Sequence, residues 1–328
     1  MSKIGIIGMG SRAHAHAKAI TETDGMELSG IAEIDEKKRK EAEKKYGTKT
    51  YEDYGDLIAS GLDAVIIVTP GFVHREPAID AAEAGLHILC EKPIALKLED
   101  ADIMIDAVEK AGVKMLVGFV PPYDAQWVTL RKVFESGQIG DLVYCWTRRL
   151  GNFPLKGWDD RRQQAHWRMS QELSGGRVME MSSHDLGWLC QLGGDVLEVH
   201  SKLAIFSPNV ETDELNVNML TFERGFGTLV MCKAPTGINE NSIGIMGTKG
   251  SIMVRQNKII RRMMDKPEEE LPVEPCDSLH DHFFKCLTTD EQPLTDGWTG
   301  RQALAACLAI LESGKTGAPV KVQNRARK

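Results

Sequence analysis

A glycine-rich turn and an acid that follows it have the residue types to bind a dinucleotide. The turn GMGSRA, residues 8–13, has G-x-G-x-x-A spacing and lies between a predicted strand and a predicted helix. Gly8 permits a tight turn, Gly10 lets the backbone approach a pyrophosphate, and the small Ala13 lets helix pack on strand. Glu33, at the end of the second predicted strand, could accept ribose hydroxyls and repel a 2′-phosphate. The pattern therefore predicts a site for NAD in preference to NADP.

An apolar run that ends in an acid, a base and a proline is the second candidate. The stretch LHILCEKP reads as a buried strand that finishes on Glu91, Lys92 and Pro93. A proline can end a strand because it lacks a ladder donor, and most lysines are simply solvated. In an open parallel sheet, however, ligands lie beyond the carboxyl ends of the strands, where these charges would be. Lys92 is therefore a candidate active-site residue.

The third candidate is an acid and a histidine four residues apart. The stretch SGGRVMEMSSHDLGW places Glu180 one helical turn before His184. On an α-helix this spacing puts both side chains on one face, where the carboxylate could orient the imidazole for proton transfer. From spacing alone, a structural histidine is an equally good interpretation.

Alternating strands and helices in the first third of the chain must position these residues. KIGIIG, MELSGIAE, DAVIIV, LHILCE and KMLVGF read as strands with helices between them, which predicts a doubly wound parallel sheet of Rossmann type. Pro121 and Pro122 break the pattern, so we expect an NAD-binding domain over residues 1–122. Beyond them, successive strands with short turns predict a second α+β domain, residues 123–328, with a large, mostly antiparallel sheet. The C-terminal helices could pack back at the domain interface.

Composition limits the class of protein further. The net charge of −7 leaves no basic surplus to neutralise phosphates, so a nucleic-acid partner is not expected. No apolar stretch approaches the roughly 18 residues of a membrane span, so no membrane partner is expected. Seven cysteines without a C-x-x-C pair suggest reduced thiols and a cytoplasmic location. The pairs His14/His16 and His280/His282 lack a third ligand at a recognisable spacing, so no metal is expected.

These stretches resemble the Gfo/Idh/MocA oxidoreductases, which are NAD(P)-dependent enzymes of sugars and cyclitols. In GIIGMGSRAHAHAKAI, His16 matches the histidine after the family's glycine turn. DAVIIVTPGFVHREPAIDAAEAGLHILCEKP resembles the family's T-P-x-x-x-H loop and E-K-P signature, and GGRVMEMSSHDLGWL is similar to its G-G-x-x-x-D-x-G-x-H-x-x-D segment. QPLTDGWTGRQALAACLAILESGKTGAPV resembles the closing helix. The resemblance implies a homo-oligomer formed through the second-domain sheet.

The resemblance also implies roles for single residues. Lys92 matches the lysine that the family places against substrate hydroxyl and nicotinamide, often before a cis proline, while His184 matches the proton acceptor and Glu180 the acid position. Candidate cofactor contacts are Gly8, Gly10, Ser11, Arg12, Ala13, Glu33, Thr69, Pro70, His74, Glu91 and Lys92. Candidate substrate contacts are Tyr123, Trp167 and Arg168. In this arrangement Lys92 and His184, from different domains, converge on one cavity, into which Glu180 also points.

Three positions depart from the family pattern. Glu180 replaces an aspartate, Gly187 replaces the closing aspartate of its segment, and Val120 replaces the asparagine of a common Phe-Asn pair. Fewer polar groups could suit a bulkier or glycosylated sugar.

We expect an NAD-dependent dehydrogenase that transfers a hydride between nicotinamide and a secondary alcohol of a sugar, glycoside or cyclitol. One alternative is a redox-neutral, glycoside-cleaving enzyme in which tightly held NAD is reduced only transiently. A second is a non-enzymatic, sugar-sensing regulator on the same fold. The sequence names neither the sugar nor the carbon that reacts.

Overall fold

A computed structural model describes residues 1–152, 170–206, 211–234 and 237–327. The chain divides into two compact units, one made of residues 1–118 and 277–301, the other of residues 119–276 and 302–328. The sequence places the boundary at residue 122 and assigns everything after it to the second domain. In the structure the first stretch ends four residues earlier. Residues 277–301, called the returning segment below, also belong to the first unit. None of the helices in the described ranges is long and apolar enough to cross a membrane.

The first unit contains a six-stranded parallel sheet whose order, β3-β2-β1-β4-β5-β6, is that of a dinucleotide-binding Rossmann domain. The predicted doubly wound sheet is confirmed. The short strand β3 has no counterpart among the predicted strands, because two residues carry no alternation that a sequence pattern could show. The strands are β1 (Ser2–Ile7), β2 (Met26–Ala32), β3 (Thr50–Tyr51), β4 (Ala64–Ile67), β5 (His87–Cys90) and β6 (Met115–Val117).

Helices connect these strands, and local sequence sets their ends. The second helix begins where the Asp35 side chain accepts the N–H of Lys38, and it ends at Gly47 in the left-handed conformation. The helices of the first stretch are α1 (Ala13–Glu22), α2 (Glu36–Tyr46), α3 (Tyr54–Ile58), α4 (Arg75–Glu83) and α5 (Leu98–Ala111).

Hydrogen bonds at the sheet edge explain why residues 277–301 belong to the first unit. The N–H of Val117 in β6 donates to the Thr295 carbonyl at 2.7 Å, and the Thr295 hydroxyl donates back to the Val117 carbonyl at 2.8 Å. The Arg301 guanidinium pairs with Asp102 on α5 at 2.7 Å. The returning segment therefore covers the edge of the sheet with satisfied backbone groups, a long-range contact that leaves no local sequence pattern.

The second unit contains a nine-stranded sheet with the order β14-β13-β12-β11-β7-β10-β9-β8-β15. Within the described ranges, every pair of neighbouring strands in this sheet is antiparallel except β7–β10, so the predicted large, mostly antiparallel sheet is confirmed. Its strands are β7 (Leu142–Asn152), β8 (Val196–Ala204), β9 (Leu215–Phe222), β10 (Phe226–Ala234), β11 (Glu240–Gly247), β12 (Gly250–Arg255), β13 (Lys258–Met263), β14 (Glu269–Leu271) and β15 (Val320–Lys321).

Five further α-helices lie in the described ranges after residue 118. Trp127 and Trp188 meet edge to face, with ring centroids 4.8 Å apart, and so pack the first long helix of this unit against the segment that carries His184. The helices are α6 (Ala125–Glu135), α7 (Gln171–Ser174), α8 (Ser183–Gly193), α9 (Leu279–Thr288) and α10 (Gly297–Thr316), with a π-helical turn over Val178–Ser182 directly before α8.

Candidate active site

The glycine turn after β1 has the geometry that a dinucleotide requires. Gly8 has a φ of +93°, and a Cβ there would lie 3.1 Å from the backbone of Val68 and Thr69, so glycine is needed for both conformation and space. At Gly10 no atom lies within 4 Å of an added Cβ, so the backbone faces open space at the N-terminus of α1. Ala13 is fully buried where α1 begins. The turn therefore fits a pyrophosphate held by backbone N–H groups.

Glu33 holds the same turn from the end of β2. One carboxylate oxygen accepts the N–H of Met9 at 2.7 Å, and the other accepts the N–H of Asp35 at 2.9 Å. Each carboxylate oxygen has two lone pairs, so both can still accept a ribose hydroxyl. Sequence reasoning predicts only the ribose contact, whereas the structure shows that Glu33 also fixes the conformation of the glycine turn.

The acid of the EKP stretch is the centre of a buried network. Glu91 is 5% exposed, and its carboxylate accepts from His16 Nε2 at 2.9 Å, from Arg12 Nε at 3.3 Å and from the Lys92 N–H at 3.1 Å. Burial alone would raise the pKa of Glu91. The hydrogen bond from His16 and the charges of His16, Lys92 and Arg12 outweigh burial and hold the pKa well below its usual range. Glu91 is therefore ionised and connects α1 to Lys92.

The network continues into the returning segment. His16 is 1% exposed, and its Nδ1 lies 2.9 Å from Nε2 of His280. Burial, together with the neighbouring His16 and Arg12, lowers the pKa of His280 to about 4. Because ionised Glu91 only accepts hydrogen bonds, His16 donates to it through Nε2. Sequence reasoning misses the His16–His280 contact, since the two residues lie 264 positions apart.

Lys92 lies half-buried after β5, and its peptide bond to Pro93 is cis. His74, in the T-P-x-x-x-H loop, is fully buried; its Nδ1 lies 3.0 Å from the Pro93 carbonyl and its Nε2 2.8 Å from the Thr69 carbonyl. The structure therefore gives His74 a positioning role between two loops, and the cofactor contact expected from sequence stays a prediction. Thr69 and Pro70 are half-exposed on one of these loops.

In the second unit, His184 opens α8 just after the π-helical turn that contains Glu180. The wider π turn changes the angle between these residues, so the same-face argument from α-helical spacing does not carry over. Both side chains are half-buried. The Val120 N–H donates to His184 Nδ1 at 3.3 Å, and the Phe119 ring meets the imidazole edge to face at 6.3 Å. A neutral ring with this bond carries its proton on Nε2.

A buried ion pair beside His184 has no counterpart in the sequence reasoning. Asp185 is fully buried and pairs with Arg149 of β7 at 2.6 Å, while the guanidinium lies 5.0 Å from the centre of the Trp127 ring. Burial raises the pKa of Asp185, and the charge of Arg149 opposes that rise. The pair anchors the first turn of α8 to the sheet and so fixes the backbone at His184.

Packing accounts for one of the departures from the family pattern. A Cβ at Gly187 would lie 2.6 Å from the Phe119 ring, so an aspartate at this position would displace that ring. Tyr123 lies half-buried in a 3₁₀ turn over Pro121–Tyr123. Trp167 and Arg168 fall outside the described residues.

The structure therefore assembles two sets of predicted residues, one in each unit. The glycine turn, Glu33, Arg12 and Glu91 are joined by hydrogen bonds in the first unit, and Lys92 follows directly from them. His184 and Glu180 lie in consecutive helical turns of the second. The convergence of Lys92 and His184 on one cavity stays a prediction. No group of three or more metal-ligating side chains occurs among the residues that the structure describes.

The strand order, the glycine turn and the acid after β2 define the first unit as an NAD-binding Rossmann domain. Two family models match the chain: an oxidoreductase family with an NAD-binding Rossmann fold over residues 2–119, and a GFO/IDH/MocA C-terminal domain over residues 127–253. The chain belongs to the Gfo/Idh/MocA oxidoreductase family.

Individual relatives cover the chain to different extents. The 2,7-anhydro-N-acetylneuraminate hydratase of Escherichia coli (strain K12) is 32% identical over 60% of this chain, which spans only 53% of that protein. The myo-inositol 2-dehydrogenase of Thermotoga maritima is 27% identical, with 98% of each chain covered. The solved WlbA dehydrogenase from Bordetella pertussis, in complex with NADH and UDP-GlcNAcA, is 29% identical with a TM-score of 0.86, over 98% of this chain and 99% of that chain.

Proposed function

We propose that this chain is an NAD-dependent dehydrogenase that oxidises a secondary alcohol of a sugar, glycoside or cyclitol. The observation that carries the proposal is the network around Glu91. Its carboxylate binds Arg12 and His16 of the cofactor-binding helix and also the N–H of Lys92. One buried, ionised group thus connects the cofactor turn to the residue that acts on the substrate.

The chain's own side chains divide the work of alcohol oxidation. NAD, when bound, accepts the hydride that leaves the carbinol carbon. Lys92 stabilises the charge that develops on the substrate oxygen, and His184 accepts the hydroxyl proton. Because Val120 holds Nδ1 as an acceptor, His184 can take a proton on Nε2 only after its own proton moves to Nδ1. The Val120 bond therefore opens during turnover.

Cofactor choice follows from Glu33. Its carboxylate is fixed by the N–H groups of Met9 and Asp35, so it cannot swing away from a ligand without losing both bonds. A phosphate on the 2′-oxygen of the ribose would meet this fixed negative charge. NAD is therefore the preferred cofactor and NADP the poorer one.

The relatives that match over their full length favour net oxidation over the alternatives. The inositol relative and the WlbA structure, each matched over at least 98% of its length, are both named as dehydrogenases. A redox-neutral reaction and a non-enzymatic sensor are not favoured by these matches. The same names support a sugar or cyclitol as the substrate.

We also propose that copies of the chain associate through the nine-stranded sheet. Alternate residues of β9 and β10 present an exposed apolar surface, with Val217 40%, Met219 63% and Phe226 62% exposed. Apolar patches of this kind mark association surfaces. A double Met219→Lys, Phe226→Lys variant should lower the mass measured by light scattering after size exclusion. An unchanged mass would refute this surface as the interface.

None of the seven cysteines, all of which lie in the described ranges, forms a disulfide, and six are buried, which supports a reducing, cytoplasmic location.

The reaction is tested with a panel of sugars, glycosides and cyclitols, by following absorbance of reduced nicotinamide at about 340 nm. Accumulation of free NADH in proportion to oxidised product supports the dehydrogenase. Product formation without free NADH would indicate the redox-neutral alternative. Sugar binding without any turnover would indicate the sensor.

A further inference from the structure

A second cluster of charged side chains lies on the covered face of the nine-stranded sheet. Lys233 on β10 pairs with Gly151 on β7, and Arg149 lies two residues before Gly151, so all three share one face. The same face carries Asn216 and Asn218, which are fully buried. Two cationic side chains therefore project from adjacent strands into a largely covered part of this unit.

The side chain of Lys233 lies flat across the backbone of Gly151. A Cβ at Gly151 would come within 2.9 Å of both Cδ and Cε of Lys233, so any other residue there would push the lysine away. The ammonium group therefore lies over β7, the strand that carries Arg149, and the lysine is half-buried. Gly151 thus leaves the space that the lysine side chain occupies over β7.

Lys233 has no anionic partner in the part of the chain that the structure describes. Arg149 pairs with Asp185. The Asp213 carboxylate accepts the N–H groups of Arg177 and Val178 and the side-chain amide of Asn216. Burial and the positive charges of Arg149 and Arg177 lower the pKa of Lys233, and the nearby Cys232 opposes this shift only in part.

Two positive charges on adjacent strands repel each other, so an anionic ligand that contacts both would be favourable. Arg149 is 29% exposed, so a ligand can reach this face. Its partner Asp185 directly follows His184, the proposed proton acceptor, which places Arg149 next to the helical turn that carries His184.

We propose that Lys233 and Arg149 bind an anionic substituent, a carboxylate or a phosphate, on the substrate. This inference rests on the proposed function and narrows it to anionic sugars or cyclitols. Lys233 supplies a point charge, and Arg149 supplies the N–H groups that its Asp185 partner leaves unused. Arg177 adds positive potential behind them.

The first test measures binding, without turnover. The full chain saturated with NAD is titrated by calorimetry with inorganic phosphate and, separately, with D-gluconate, at constant ionic strength. The wild type should bind at least one of them, and the anion that it prefers identifies the substituent. Lys233→Met should weaken binding about 10-fold or more, the loss of one hydrogen bond to a charged group. Lys233→Arg should retain most of it, and Lys202→Met, at an exposed lysine of the same sheet, should change nothing.

The arginine variant separates anion binding from a role for Lys233 as a base, because arginine keeps the charge but cannot give up its proton. Absence of saturable binding to the wild type, or equal binding by Lys233→Met, would overturn the proposal.

The second test uses turnover with matched substrates such as D-glucose, D-glucuronate and glucose 6-phosphate. Lys233→Met should raise KM about 10-fold or more for the anionic substrate, with little effect on a neutral one. If the wild type oxidises only neutral sugars, the anion site is refuted and the dehydrogenase stands. If no sugar reduces NAD but anion binding depends on Lys233, the dehydrogenase fails and the site stands.

Discussion

Replacement of Glu91 by glutamine tests the buried network that connects the cofactor turn to Lys92. Glutamine keeps the volume and one acceptor, but its amide must face donors that now meet the carboxylate. Three groups donate to Glu91: His16 at 2.9 Å, Arg12 at 3.3 Å and the Lys92 N–H at 3.1 Å. The variant should therefore be less stable, and the hydrogen bond that fixes the Lys92 backbone should be weaker.

The magnitude follows from burial and from the number of bonds. Loss of one bond to a charged acceptor costs about 1.5–3 kcal/mol, and a buried donor left without a partner costs about 1–3 kcal/mol more. The sum, about 2.5–6 kcal/mol, brackets the usual cost of removing one partner of a buried ion pair, about 3–5 kcal/mol. With a urea m-value of about 1–3 kcal/mol/M, the unfolding midpoint should fall by about 1 M or more.

The loss of folding stability caused by Glu91→Gln should also depend on pH. The folded-state pKa of Glu91 lies below that of an unfolded glutamate, about 4.3, so its stabilisation is present above that value and is lost as the pH falls toward the folded pKa. Urea unfolding followed by circular dichroism should show a large difference between wild type and Glu91→Gln at pH 7 and a smaller one near pH 4. Glu83→Gln, at an exposed acid of the same unit, is the control and should match the wild type. Equal midpoints for Glu91→Gln and wild type at pH 7 would refute the network.

Three further substitutions test the roles of Glu33, Gly187 and His184. Glu33→Ala should narrow the preference for NAD over NADP about 10-fold by removing like-charge repulsion, as measured by titration of both cofactors; an unchanged ratio would contradict the role of Glu33. Gly187→Ala should cost about 1–3 kcal/mol of stability because its Cβ would lie 2.6 Å from the Phe119 ring, and a wild-type unfolding midpoint would contradict this packing. His184→Gln should lower kcat about 100-fold or more with NAD affinity unchanged, whereas near-normal kcat would exclude His184 as the proton acceptor.

The sequence predicts those parts of the fold that repeat a local pattern. Alternating strands and helices predict the parallel sheet, and the spacing from the glycine turn to Glu33 predicts an acid that the structure places against that turn. The apolar run before Lys92 forms β5, as predicted, and Lys92 follows the end of that strand. Such a run is recognisable because a buried strand of a parallel sheet has a continuous apolar sequence.

The features that the sequence does not predict depend on contacts between distant residues. His280 reaches His16 across 264 positions, and Asp185 pairs with Arg149 from a strand 36 residues away. The π turn before His184 depends on packing, and its sequence is compatible with an ordinary α-helix. No local periodicity reports on such contacts, so they emerge only once the chain is folded.

We propose that Lys92 acts on the substrate while the glycine turn and Glu33 hold NAD. The most direct test of this proposal is the single-turnover rate at about 340 nm, when NAD-loaded protein is mixed with the best sugar of the panel. Lys92→Ala should slow this step about 100-fold or more and leave the Kd for NAD nearly unchanged, since electrostatic stabilisation acts mainly in the transition state. Lys97→Ala, at an exposed lysine five residues further along, should behave as the wild type. A Lys92→Ala variant that reduces NAD at the wild-type rate would contradict the role of Lys92 in the reaction.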